Sequence, residues 1–226
     1  MKRPYWSVEQ KCKNRNGEIQ SDSHSDCNMS AQLNYLRRCF DLVFPERDDH
    51  RIVRELNRDE LVSHFHPKIE NDIVSLLPFR EPLVRSLVHE AKFHQNERAY
   101  ELLGEVLSLY LKDQNAKIVI PIPLSDKRLK ERGCNQVEEV LKRALRQVPH
   151  MQMRTDLLKR TKNTKPQTSL SRQDRLQNVA GAFTIRPGLG QEHIILIDDV
   201  STTGATLRSA ASVLESASIT LLSLAR

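Results

Sequence analysis

Two adjacent carboxylates and a run of small hydroxyl residues lie together in the segment IILIDDVSTTGAT, residues 194–206. Residues 194–197 have the composition of a strand buried on both faces, so Asp198 and Asp199 fall at its carboxyl end, where open α/β sheets bind ligands. The following turn exposes backbone N–H groups at a helix start, which favours a phosphate dianion. Adjacent carboxylates would repel that phosphate unless they contact hydroxyl groups or a divalent cation. The pattern therefore indicates a sugar diol with Mg²⁺ in support.

The turn itself supplies the predicted phosphate-binding residues. They are Ser201, Thr202, Thr203, Gly204, Ala205 and Thr206. The hydroxyl groups add hydrogen-bond donors, and Gly204 lets the backbone approach a ligand closely. An acidic strand end followed by a threonine-capped helix is the structural alternative. The order of strand, diacid, Thr-Thr-Gly turn and helix favours ligand binding over that alternative.

Positive charge is concentrated in the middle of the chain. The 226-residue sequence has a formal net charge of +6, but residues 127–175 alone hold 14 Lys/Arg and 5 Asp/Glu. This excess predicts an anionic partner, either a phosphate ester or nucleic acid. Directly after the apolar run that ends Pro-Ile-Pro come Lys127, Arg128, Lys130 and Arg132. These cations suit a pyrophosphate group, with a solvated basic helix as the alternative.

The elements around these motifs alternate between helix and strand. Helical spacing predicts helices near residues 31–44, 82–93, 97–112, 135–147, 171–178 and 204–216. Apolar, β-branched runs predict strands near residues 117–124, 182–185, 193–198 and 218–224. Because two of the strands are apolar on both faces, we expect an α/β fold with a parallel sheet flanked by helices.

Composition also predicts the organisation of the chain. Residues 1–30 are polar and predict a flexible tail, residues 31–77 predict a small, mostly helical N-terminal extension, and residues 78–226 predict the α/β domain. No apolar run approaches the ~20 residues that span a bilayer, and no apolar stretch follows the N-terminal basic residues as in a secretory signal. We therefore expect a cytoplasmic protein with no membrane partner. The four cysteines form no Cys-x-x-Cys pair, so we expect no zinc site and no disulfide framework.

Residues 194–206 resemble the phosphoribosyl pyrophosphate (PRPP) binding motif of type I phosphoribosyltransferases. Further segments narrow the resemblance to the ComF/GntX family of competence-associated, phosphoribosyltransferase-like proteins. They are IPIPLS at 120–125 with RGCNQ at 132–136, KRTKNTKPQTSL at 159–170 and RLQNVAGAF at 175–183. The resemblance covers about residues 78–226. It implies a type I phosphoribosyltransferase-like fold, Mg²⁺-dependent transfer of ribose 5-phosphate from PRPP with release of pyrophosphate, and a role in competence and DNA uptake.

The resemblance also implies roles for particular residues. Asp198 and Asp199 would be catalytic and would hold Mg²⁺ directly or through water. Residues 159–170 would form a flexible lid. The candidates for contact with pyrophosphate are Lys127, Arg128 and Arg132 and, from the lid, Arg160, Lys165 and Gln167. Arg175 and Asn178 match the family without a clear role.

Two departures from related enzymes bear on the substrate. Purine-salvage members carry a carboxylate where this sequence has Thr202, so salvage of ordinary 6-oxopurines is disfavoured. Many ComF-like proteins also begin with a four-cysteine zinc module, which this chain lacks. The acceptor stays open, as do a homodimer and contacts with nucleic acid or the competence machinery. A non-catalytic nucleotide- or nucleic-acid-binding accessory that keeps the fold is the alternative function.

Overall fold

The computed structural model describes residues 47–161, 181–186, 190, 192–214 and 218–226. The α-helices of this part are α1 (Asp48–Glu55), α2 (Arg58–Ser63), α3 (Pro82–Phe93), α4 (Glu97–Leu111), α5 (Asp126–Arg132), α6 (Gln136–Ala144) and α7 (Ala205–Ala211), with a 3₁₀ helix at Leu145–Gln147. The strands are β1 (Lys68–Glu70), β2 (Ile73–Leu77), β3 (Ile118–Pro121), β4 (Gln152–Met153), β5 (Leu158–Arg160), β6 (Phe183–Ile185), β7 (His193–Val200) and β8 (Ser218–Ala225). Within these ranges, every helix is too short or too polar to cross a bilayer.

Six strands form one sheet in the order β1-β2-β8-β7-β3-β4. The pairs from β2 to β4 are all parallel, and only the edge pair β1–β2 is antiparallel. In the centre, Ile194 of β7 is paired with Ile118 of β3 on one side and with Ile219 of β8 on the other. The remaining pair, β5 and β6, forms a separate antiparallel ribbon. This mostly parallel sheet with helices confirms the predicted α/β fold class.

The apolar run of β7 is explained by its place between two hydrophobic clusters. Ile195 and Ile197 pack into the cluster that includes residues of α3, α4 and α6. Ile194 and Leu196 point to the opposite face and pack with residues of β5, β6 and α7. Because successive side chains of a strand alternate between faces, a strand covered on both sides has no polar face.

The prediction of a mostly helical extension over residues 31–77 is wrong for its last part. Helices α1 and α2 are present, but residues 68–70 and 73–77 form β1 and β2, and β2 pairs with β8 inside the central sheet. A five-residue apolar run such as Ile73–Leu77 fits either a buried helix or a buried strand by periodicity. Pairing with β8 decides between them.

Smaller differences concern the ends of elements. The predicted lid begins with a strand, since residues up to Arg160 belong to β5. Helix α7 ends at Ala211, earlier than expected. The predicted tail 1–30, residues 31–46 of the extension, the rest of the lid after Thr161 and the helix at 171–178 lie outside the described residues, and Lys165, Gln167, Arg175 and Asn178 lie there as well.

Candidate active site

A cavity of about 790 Å³ opens at the carboxyl ends of β3 and β7. Its polar lining residues are Arg85, His89, Lys92, Gln95, Arg128, Glu131, Arg132, Gln136, Arg160, Asp198, Asp199, Thr202 and Thr206. Its apolar lining residues are Phe79, Val88, Phe93, Ile122, Leu124 and Val200. Five cations face three carboxylates, so the lining has a positive surplus. This volume is typical of small-molecule sites, and the sheet edge is where parallel α/β sheets bind ligands.

The two aspartates at the end of β7 have different surroundings. Asp199 is buried, and its Oδ2 lies 2.9 Å from Lys92 Nζ and accepts a 2.6 Å hydrogen bond from Gln136 Nε2. Its Oδ1 accepts from the backbone N–H of Val200 at 2.6 Å. Asp198 is partly buried and accepts from the N–H of Asp199 through Oδ1 at 2.9 Å. Of the four carboxylate oxygens of this pair, only the second oxygen of Asp198 accepts no hydrogen bond from a described residue, and it is left for a ligand.

Their different surroundings give the two aspartates different pKa values. Burial and the neighbouring charge of Asp199 raise the pKa of Asp198 to about 7. Burial alone would raise the pKa of Asp199 too, but the charge and hydrogen bond of Lys92 hold that pKa below its ordinary value. Near neutral pH the pair therefore carries between one and two negative charges, and Asp199 keeps the first of them.

Lys92 and Gln136 are site residues that the sequence analysis missed. Together with Asp199 they form a chain of contacts that continues to Arg132, whose Nη1 donates to Gln136 Oε1 at 3.0 Å. The chain joins α3, α5, α6 and β7 across the cavity wall. The signal for Lys92 is its spacing: it continues the row of buried positions Val84 and Val88 along α3. Gln136 lies in the RGCNQ segment but had no assigned role.

Local capping positions the basic helix α5 and the start of α6. Ser125 caps α5 by accepting from the N–H of Arg128, and Gly133 ends the helix with a φ of 78°, a left-handed conformation that favours glycine. Asn135 then caps α6 through its side-chain oxygen, which accepts from Val137 N. The amide nitrogen of Asn135 donates to Ile122 O at 3.1 Å, which ties the turn to the segment after β3. These contacts hold α5 beside the end of β3.

The predicted phosphate loop is built on a glycine that no other residue can replace without strain. Gly204 has a φ of 73°, and a Cβ there would overlap Ile73 Cδ1. Arg208 fixes the loop from α7, because its guanidinium donates to Thr203 O and also to Asp72 Oδ1 at 2.8 Å. The β1–β2 turn and the loop are thereby joined.

The loop residues divide between the cavity and the interior. Thr202 and Thr206 line the cavity, while Ser201, Thr203, Gly204 and Ala205 are not among its described lining residues. Ser201 is buried, and its Oγ has no hydrogen-bond partner among the described residues. This buried hydroxyl therefore leaves one hydrogen bond of the loop unmet among the described residues.

Three of the predicted pyrophosphate contacts line the cavity: Arg128, Arg132 and Arg160. Arg160 is buried on β5 with its Cζ 5.4 Å from the ring centre of Phe183. Burial and the charge of Arg128 lower the pKa of Arg160, as expected where cations converge on a site for an anion. Lys127 does not line the cavity; its ammonium is exposed and lies 3.9 Å from Glu131.

No family model matches the chain. The DNA utilization protein YhgH of Shigella flexneri is 29% identical over 149 residues, which cover 63% of this chain and 65% of that protein. Competence protein F of Haemophilus influenzae is 30% identical over 146 residues, which cover 59% of this chain and 62% of that protein. The chain is a distant homologue of YhgH and competence protein F.

The similarity to these homologues is partial, since this chain matches 65% or less of the length of each. Among solved structures, a hypoxanthine phosphoribosyltransferase from Staphylococcus aureus aligns with a TM-score of 0.32 and 17% identity, over 57% of this chain and 63% of that protein.

The residues of the cavity fit Mg²⁺ at Asp198 better than at Asp199. Hard cations prefer carboxylate oxygens and retain water ligands. Asp198 offers such an oxygen to a hydrated ion, whereas both oxygens of Asp199 already accept hydrogen bonds and one of them pairs with Lys92. Direct coordination by both aspartates would require Lys92 to move away.

Proposed function

We propose that this chain binds PRPP with Mg²⁺ and transfers its ribose 5-phosphate unit to an acceptor, with release of pyrophosphate. The observation that carries the proposal is the convergence on one cavity of the diacid, two loop threonines and three arginines. These groups match the parts of PRPP in number and charge: a ribose diol, a 5-phosphate and a pyrophosphate. The names of the homologues, which refer to DNA utilization and competence, favour a role in that context.

Each group has a distinct task in this proposal. Thr202 and Thr206, with the backbone N–H groups of their loop, would bind the 5-phosphate. Asp198 would accept hydrogen bonds from the ribose hydroxyls. Arg128 and Arg132 would bind the pyrophosphate, for which the guanidinium offers paired donors.

The reaction breaks the bond between C1 of the ribose and the pyrophosphate oxygen, and pyrophosphate leaves with the electron pair. A lone pair of the acceptor forms the new bond to C1, and where the attacking atom carries a proton, that proton passes to the released pyrophosphate or to water. Positive charge develops on the ribose ring in between, so the carboxylate of Asp198 stabilises it while the arginines stabilise the leaving group. Bound Mg²⁺ would supply further positive charge to the pyrophosphate. Lys92 and Gln136 would act by holding Asp199 in place rather than by touching the substrate.

Calorimetric titration of the full chain with PRPP, with and without Mg²⁺, tests the proposal. We expect binding that depends on Mg²⁺ and that weakens by about tenfold or more in Asp198→Asn and in Arg132→Gln, because each loses a charge-assisted contact. Asp113→Asn removes an exposed carboxylate outside the cavity lining and is the matched control. Pyrophosphate release in the presence of candidate acceptors then measures transfer. Absence of binding at millimolar PRPP would contradict the proposal.

A second candidate is a non-catalytic protein that binds nucleic acid, and helix α5 favours it. No residue of α5 is buried, and the helix carries Lys127 and Lys130 outside the cavity lining. Fluorescence anisotropy with single-stranded DNA tests this function. It predicts an affinity that falls as salt rises, persists in Asp199→Asn and is lost in the Lys127→Gln/Lys130→Gln double variant. Under the PRPP proposal, it is PRPP binding that is lost in Asp199→Asn and persists in the double variant, because Asp199 holds the cavity together and the two lysines lie outside its lining.

A further inference from the structure

Helix α3 presents a second kind of surface to the cavity. Arg85, His89 and Phe93 are spaced four residues apart, so they lie along one face of the helix, and all three line the cavity. We call these three residues the α3 wall. None of the groups assigned to PRPP belongs to it.

The α3 wall combines aromatic rings with a positive charge. The side chains of Phe93 and His89 have ring centres 4.9 Å apart at an interplanar angle of 52°. Phe93 is 56% exposed, and Arg132 Cζ lies 5.5 Å from its ring centre. An isolated exposed phenylalanine carries little meaning, but this one sits inside a cavity, beside a second ring and a guanidinium. Such a surface binds flat, unsaturated rings by stacking.

Asp49 of helix α1 lies beside His89, without hydrogen-bond geometry to its ring. Its Nδ1 lies 2.9 Å from Asp49 Oδ2, and the other oxygen of Asp49 accepts a 2.6 Å hydrogen bond from Ser86 Oγ. The His89 side chain nevertheless stays 44% exposed.

Arg85 supplies the charge at the other end of the α3 wall. It is exposed, and within the described part of the chain its guanidinium has no ion-pair partner. One helical turn separates it from His89, a rise of about 6 Å along the axis. A flat ring that stacks on Phe93, with the tilted His89 ring at its edge, can therefore direct an acidic substituent to Arg85.

We propose that the α3 wall is the acceptor subsite and that it takes a planar aromatic ring bearing a carboxylate or similar acidic group. This inference rests on the proposed function, because the word acceptor presupposes transfer from PRPP. It adds a substrate class, distinct from the neutral purines that Thr202 already disfavours. Stacking on Phe93 selects a flat ring, and Arg85 selects a negative charge on it.

Three small probes of similar size test both halves of this selection. Nicotinate is planar and anionic, nicotinamide has the same ring without the charge, and cyclohexanecarboxylate has the charge without the flat ring. We would titrate each into the full chain by ligand-observed NMR, after a separate measurement of PRPP binding with Mg²⁺. Nicotinate is expected to bind about tenfold more tightly than either comparison probe.

Substitutions in the α3 wall test whether nicotinate binds there. Arg85→Gln should lower nicotinate affinity about tenfold to the level of nicotinamide, and Phe93→Leu should remove the preference for the flat ring. Arg85→Gln should bind PRPP as the parent does, which also shows that it folds. Phe93→Leu removes the ring beside Arg132, so its folding is checked by urea unfolding instead of by PRPP binding. Arg146→Gln removes an exposed charge far from the lining residues in sequence and should change neither measurement.

The outcomes separate the two proposals. If PRPP binds but nicotinate shows no preference over nicotinamide, or binds equally to Arg85→Gln, the acceptor subsite is overturned and the proposed function stands. If PRPP fails to bind, the proposed function and the acceptor role fall together, whatever nicotinate does. If nicotinate selectivity disappears only in the two α3 variants while PRPP binding persists, the subsite is supported.

Discussion

Replacing Asp198 by asparagine is expected to make the protein more stable at pH 8, although it removes a residue that we assign to substrate binding. The asparagine side chain would keep an oxygen that accepts the N–H of Asp199, as Asp198 does now at 2.9 Å. The substitution would remove a charge that is buried beside a second carboxylate. Burial and Asp199 raise the pKa of Asp198 from 3.8 to about 7, so holding this group ionised costs folding free energy.

The size of the expected gain in stability follows from the raised pKa of Asp198. The rise in the pKa of Asp198 from 3.8 to about 7 corresponds to about 4 kcal/mol of folding free energy at 1.4 kcal/mol per pKa unit. Sharing of the proton with Asp199 and relaxation around the open cavity reduce the expected gain to about 2 kcal/mol. In a domain of this size that raises the melting temperature by roughly 4–8 °C.

The raised pKa of Asp198 also predicts how the effect of Asp198→Asn on stability changes with pH. An acid with a raised pKa binds its proton more tightly in the folded protein, so its stability contribution is complete below pH 3.8, declines up to about pH 7 and is then constant. The advantage of Asp198→Asn should therefore be about 2 kcal/mol at pH 8 and about 1 kcal/mol or less at pH 5.

Urea unfolding in metal-free buffer at both pH values measures this difference. Asp113→Asn, at an exposed position, is the control and should change stability by less than about 0.5 kcal/mol at either pH. A gain of equal size at pH 5 and pH 8 would refute the electrostatic argument. So would a loss of stability at pH 8.

Two further substitutions test other contacts of the site by urea unfolding. Lys92→Met should lower the free energy of unfolding by about 3 kcal/mol, because it leaves the buried Asp199 carboxylate without its 2.9 Å partner. Lys142→Met breaks an exposed pair and should lower it by less than about 1 kcal/mol. Equal losses of stability would mean that the Lys92 pair is as well hydrated as a surface pair. Gly204→Ala should cost about 2–4 kcal/mol through its positive φ and the overlap of the new Cβ with Ile73, and Gly190→Ala, where the nearest atom is 3.8 Å away, should be close to neutral; a tolerated Gly204→Ala would mean that the loop can adopt another conformation.

Local sequence patterns were sufficient to predict several helices and strands. The run before Asp198 predicts a buried strand because four consecutive apolar residues need cover on both faces, and β7 has it. Helical spacing predicted helices at 82–93 and 97–112, and the structure has them at Pro82–Phe93 and Glu97–Leu111. The carboxylates therefore fall at a strand end on the basis of short-range information alone.

Residues 68–77 and the surroundings of Asp199 lacked such signals. The short strand β2 exists because β8, far along the chain, offers its edge for pairing. Gln136 reaches Asp199 across 63 residues of sequence, and Lys92 reaches it from another helix. Nothing in the immediate neighbourhood of either residue specifies that contact.

The sequence by itself determined that the chain forms an α/β sheet, that a diacid and a Thr-Thr-Gly turn follow a buried strand, and that cations follow another. These properties depend on side-chain type at fixed spacing, which acts over a few residues. Only the tertiary structure decided that Lys92 neutralises Asp199, that Asp198 keeps an oxygen for a ligand, and that Arg85, His89 and Phe93 share the same cavity. Those properties depend on distances between elements, and the distances are set by how the helices pack on the sheet.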